Sequence, residues 1–139
     1  MVSRILAFTF IASFLTACSG TGLSDMSLVR DQMNSSSEKK VFILRQNQSD
    51  PSMSLYLINT KLNGEEIATL GVMQVAIGNI KSGENVIEFS GPVTGDLKFT
   101  FNDNGKNKYF MTQIIQGMVS SDFDLIETDA STFERRIEK

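Results

Sequence analysis

Few side chains in this sequence are able to do chemistry, and their types narrow what that chemistry would be. Asp122 and Asp124 stand two apart, Glu65 and Glu66 follow an Asn63-Gly64 pair, and Asn102-Asp103-Asn104-Gly105 gathers oxygens in one short run. Paired carboxylates share a proton or take Ca²⁺. Arg45 closes an apolar segment where a guanidinium would suit a carboxylate or phosphate, and Arg135-Arg136 lies near the C-terminus. Histidine is absent and Cys18 is the one cysteine. That combination excludes an imidazole base, a Ser-His-Asp triad, a thiolate zinc site and a disulfide within the chain. Each acidic cluster has a plainer explanation: a solvated strand face for Asp122 and Asp124, turn-flanking charge for Glu65-Glu66, and a hairpin loop for Asn102–Gly105. The Asn102 run also lacks the later acidic residue that closes a calcium loop. The expectation is therefore no catalytic residue, no metal ligand and no cofactor.

Cys18 is different because of what precedes it. Arg4 is followed by an apolar run from Ile5 to Leu15, then by the small residues Thr16 and Ala17. The run has the length of a signal-peptide hydrophobic region and falls short of the ~20 residues of a membrane span. Leu15-Thr16-Ala17-Cys18 is similar to the lipobox of bacterial lipoproteins. That resemblance implies cleavage before Cys18, acylation of its thiol (palmitate among the acyl chains), and a membrane as partner through the lipid anchor. Ser19 stands where an Asp would retain enterobacterial lipoproteins in the inner membrane, so the resemblance implies the outer membrane, facing the periplasm.

Three segments follow: a signal peptide (1–17), a lipidated N-terminus with a flexible tether (18–38), and a β-rich domain (39–139). The tether expectation rests on the small polar residues between Ser19 and Glu38, although Met26, Val29 and Met33 fall at helical spacing. Without Arg4 the net charge, −3 for the whole chain, becomes one unit more negative. No Lys/Arg cluster interleaves with aromatics, so no nucleic-acid partner is expected.

The domain reads as strands: Val41–Arg45, Ser54–Ile58 running on to Lys61, Glu66–Leu70 after the Asn63-Gly64 turn, Val72–Ile77, Asn85–Phe89, Leu97–Phe101, Tyr109–Ile115 and Phe123–Ile126. Asp129 caps a terminal helix in which Phe133 and Ile137 are one turn apart. The fold class is all-β, a small antiparallel β-sandwich or barrel of seven to eight short strands with a short C-terminal helix. Leu97, Phe99 and Phe101 alternate with Lys98 and Thr100, which sets the first three inward against Tyr109–Ile115. Phe42, Tyr56, Phe89, Phe99, Phe101, Tyr109, Phe110 and Phe123 would serve either a glycan- or lipid-binding groove or a core. With no Trp and with alternating positions, core packing is expected.

Val41-Phe-Ile-Leu-Arg45, Leu62 to Leu70 around Asn63-Gly64, Ser82-Gly83, and Gly105 with Tyr109-Phe110 together resemble a family of bacterial lipoproteins carrying a domain of unknown function. The resemblance spans Lys40 to Thr128. The family usually has Pro-Gly where this chain has Ser82-Gly83. It implies an all-β fold and no known activity. The functional expectation is a membrane-anchored envelope lipoprotein whose non-enzymatic β-sandwich binds or supports an envelope protein or cell-wall partner. The alternative is a periplasmic enzyme or enzyme inhibitor using carboxylate chemistry.

Overall fold

In a computed structural model of the chain, residues 20–35, 38–47, 51–91, 95–116 and 121–138 are described. Eight strands form two four-stranded sheets. They are β1 (Lys40–Arg45), β2 (Ile58–Leu62), β3 (Glu65–Leu70), β4 (Val75–Asn79), β5 (Glu84–Ser90), β6 (Leu97–Asn102), β7 (Lys108–Gln116) and β8 (Ser121–Thr128). One sheet has the order β4-β1-β7-β8 and the other β3-β2-β5-β6, so the fold is an open sandwich rather than a closed barrel. The flanking helices are α1 (Met26–Asn34) and α2 (Ala130–Ile137).

The pairing is antiparallel except between β1 and β7, which run parallel with Phe42 opposite Tyr109 and Ile43 opposite Phe110. The first sheet is therefore mixed, where the alternating pattern led to an antiparallel expectation. β1 carries the reason in its composition. Every residue from Val41 to Arg45 is buried, as a strand covered on both faces requires. Val41 and Ile43 face the core between the sheets, while Phe42 and Leu44 face outward into a second apolar layer.

That second layer is built by the helices. Val29 of α1 and Phe133 and Ile137 of α2 pack on Phe42, Leu44, Val75, Tyr109 and Met111. Phe42 stacks on Tyr109 at 5.2 Å between ring centroids, and Phe133 meets Tyr109 at 5.3 Å. Asp129 caps α2 by accepting from the Thr132 N–H at 2.7 Å, and Asp25 caps α1 by accepting from the Ser27 hydroxyl at 2.6 Å and the Ser27 N–H at 3.0 Å. These bonds hold both carboxyls below their usual pKa of 3.8.

The expected tether is thus corrected over residues 20–35, which fold onto the sandwich. Leu23 exchanges backbone hydrogen bonds with Val75, both 2.9 Å. Val29 at helical spacing from Met26 and Met33 is the side chain that drives this docking, outweighing the polar residues around it.

Three local expectations also change. Ser54 and Leu55, expected to open a strand, belong to a 3-10 turn over Pro51–Leu55, with Pro51 accepting from the Ser54 hydroxyl at 2.6 Å; β2 starts only at Ile58. Residues 71–74 form a turn in which Gly71 N–H donates to Gln74 Oε1 at 2.8 Å, delaying β4 to Val75. The Asn102–Asn107 segment is no hairpin, because β6 and β7 belong to different sheets. The Asn63-Gly64 turn holds as expected, with φ of 53° and 84°. Of a loop expected from sequence over Gly117–Ser121, residues 117–120 lie outside the described residues and Ser121 opens β8.

Between the sheets, Phe101 packs on Phe110 at 5.7 Å and Phe99 at 5.5 Å, while Phe89 meets Phe123 at 5.5 Å. Of the three β6 residues expected inward, Phe101 is buried. Leu97 and Phe99 are half-buried because β6 is a sheet edge. The strand alternation itself is as expected, with Lys98 and Thr100 exposed.

Candidate functional site

The clusters singled out in the sequence do not come together. Asp122 pairs with Ile115 at one end of the first sheet. The Asn102–Gly105 run lies at the opposite end, where Asp103 N–H donates to Gly83 O at 2.9 Å. Asp122 is exposed and Asp124 half-buried on the outward side of β8, with Phe123 turned to the core. Asp103 and Asn104 each spend their side-chain oxygen on a turn N–H, at 2.9 and 3.1 Å. Glu65 and Glu66 are exposed at the start of β3, and Glu66 accepts from Thr69. Among the described residues no three of His, Cys, Asp and Glu gather as a metal site. Cys18 lies outside the described residues.

Arg45 is the most unusual side chain on view. It is fully buried, and by strand alternation it points between the sheets. Its guanidinium donates to the carbonyls of Met53 at 2.8 Å, Leu70 at 2.9 Å and Tyr56. Burial pushes its pKa down to about 10, so it remains charged at neutral pH. Recognition of a carboxylate or phosphate, the chemistry its type would suit, has no surface to act on. The arginine instead gathers the 3-10 turn and the end of β3 into one knot. Beside it, the buried Thr112 hydroxyl has no hydrogen-bond partner among the described residues.

Two further polar anchors escaped the sequence reading. Asn85 is buried; its Oδ1 accepts from Asn63 and from Lys81 N–H, both at 3.0 Å, and its Nδ2 donates to the carbonyls of Lys81 and Gly83. Asn63 Oδ1 in turn accepts from Val86 N–H at 2.9 Å. Gln74 joins the 71–74 turn to Ser24 of the leader to α1, residues 20–25, at 3.2 Å. Asn beside turn glycines was the available signal for the first; nothing local marks Gln74.

The eight aromatics named from sequence occupy packing positions. All eight are in, or packed against, the core between the sheets or the layer under the helices, with Tyr56 half-buried beside the knot. Arg135 and Arg136 are exposed on α2, and Arg136 borders a shallow ~150 Å³ hollow with Leu44, Gln46, Asn47 and Met73. No described helix is long and apolar enough to cross a membrane.

Geometry and fold define an all-β sandwich with one helix-covered face. Compared with protein-family models, curated proteins and solved structures, the chain matches none.

Proposed function

We propose that this chain is a membrane-anchored envelope lipoprotein, held by acyl chains on Cys18, whose β-sandwich binds or supports an envelope partner without catalysing a reaction. The observation that carries this is Leu15-Thr16-Ala17-Cys18 after the basic and apolar start. A thiol at that position, the sole one in the chain, has the sequence context of a lipid acceptor. Ser19 supports delivery to the outer membrane, facing the periplasm. Each buried methylene adds about 0.8 kcal/mol to membrane affinity, so two or more chains anchor stably. Of the positions named for the carboxylate-chemistry alternative, Asp122 with Asp124 and the Asn102–Gly105 run lie at opposite ends of the sandwich, which favours the non-enzymatic reading.

The test is metabolic labelling of cells with a tagged fatty acid. Wild-type protein is expected to take up label and fractionate with membranes, and Cys18→Ser to do neither. Label retained by Cys18→Ser would sink the assignment.

A further inference from the structure

The leader reaches the sandwich at one end and is fixed there. Thr21 and Gly22 N–H groups both donate to Thr69 O, at 2.8 and 3.3 Å, and Thr21 Oγ1 accepts from Thr69 N–H at 2.8 Å. On either side of Thr21, at Gly20 and Gly22, the fit leaves no room for a side chain. A Cβ on Gly20, whose φ is +80°, would stand 2.5 Å from Thr69 O, and one on Gly22 would stand 2.7 Å from Leu70 Cδ2. Cys18 precedes Gly20 by two residues, and two residues of extended chain reach at most about 7 Å. That is comparable to the thickness of one headgroup layer, about 5–8 Å.

The same end carries the most exposed large apolar side chain among the described residues. Leu55, on the 3-10 turn, is 83% exposed, whereas Leu28, Ile115 and Ile126 are 46–48% exposed. The turn and the leader are held together through Arg45. Its guanidinium bonds Tyr56 O, next to Leu55, and Leu70 O, next to the Gly71 backbone on which Gly20 closes.

Resting on the lipid-anchored reading, we infer that the sandwich does not hang from a tether. It stands with this end on the lipid surface and Leu55 inserted beside the acyl anchor. Burying a leucine in lipid shifts partition by about tenfold, and the short reach from Cys18 confines Leu55 to the interface where that gain is available. The contact is apolar in character. Arg136 flanks this end, but Asp96 and Asp122 lie at it as well, so attraction to anionic headgroups is not what holds it.

With Cys18 acylated, an introduced cysteine is the one free thiol for a fluorophore. Full-length lipidated protein carrying Leu55→Cys, or Lys106→Cys at the opposite end, would be labelled and reconstituted into phosphatidylcholine vesicles holding a lipid-borne quencher. Quenching at 55 several-fold stronger than at 106, and unchanged in high salt, is expected. Equal quenching at both positions on protein that floats with the vesicles would overturn the orientation and leave the anchor standing. Failure to float would remove the anchored reading and this one with it.

Discussion

The two sheets solve different burial problems. The β4-β1-β7-β8 sheet lies between two apolar layers, the inter-sheet core and the one under α1 and α2. The β3-β2-β5-β6 sheet meets one layer and shows solvent a polar face on which Lys61, Glu88 and Lys98 stand side by side across β2, β5 and β6. The difference is visible in single strands: β1 is buried from Val41 to Arg45, while β2 alternates strictly between buried and exposed. Covering the second face of a sheet takes elements distant in sequence, here residues 26–34 and 130–137. The N-terminal segment is therefore as much a part of the fold as the strands.

If the helix-covered face is a true second core, Phe133→Ala should cost about 3–5 kcal/mol in denaturant melts, as much as Phe110→Ala between the sheets. A cost near that of a surface change would reduce α2 to a loosely attached appendage. Arg45→Met should cost about 3 kcal/mol, because the carbonyls of Met53, Tyr56 and Leu70 lose a buried charged donor. An unchanged melting point would mean that those carbonyls find other partners. Val29→Ala should cost about 2 kcal/mol, and a chain starting at Lys39 should melt lower than one starting at Gly20. Equal stability of the two chains would restore the tether.

Acid should loosen the helices. Because both cap carboxyls sit below 3.8 in the folded chain, their contribution is complete above that pH. It fades as pH falls through the lower folded values. Thermal midpoints followed from pH 6 to pH 2 should therefore fall less steeply for Asp129→Ala than for wild type, and parallel curves would exclude the cap from acid sensitivity. Smallest of all, Lys98→Ala on the uncovered face should stay within about 0.5 kcal/mol of wild type.

The sequence was most readable where one face meets solvent, because a period of two then appears directly, as in Leu97–Phe101. It was also readable at Asn63-Gly64 and at Asp129, where a single backbone requirement selects the residue. It was least readable where tertiary contacts override local composition. The polar residues around Val29 read as a tether, since one buried valine says little until Phe42 and Leu44 are known to need a cover. The parallel β1–β7 pairing leaves no local mark beyond the unbroken apolar run. The region from Ser54 to Leu57 reads as strand because its apolar residues mimic one, yet Arg45 draws the carbonyls of Met53 and Tyr56 into a knot. For the candidate sites, spacing of carboxylates was visible but their placement at opposite ends was not, since that depends on which sheet each strand joins.

The parallel pairing of β1 with β7 also sets an order of events. The side chain of Asn107 accepts from the Lys40 backbone N–H across 67 residues, and β1, one of the two central strands of its sheet, gains β7 as a neighbour only after nearly eight-tenths of the chain has been made. Until then Val41-Phe42-Ile43-Leu44 presents a bare, uncharged edge of the kind that recruits other chains. Contacts of such long sequence separation also slow folding. A polypeptide with this wiring gains from leaving β1 unpaired with other chains until β7 is available to cover its edge.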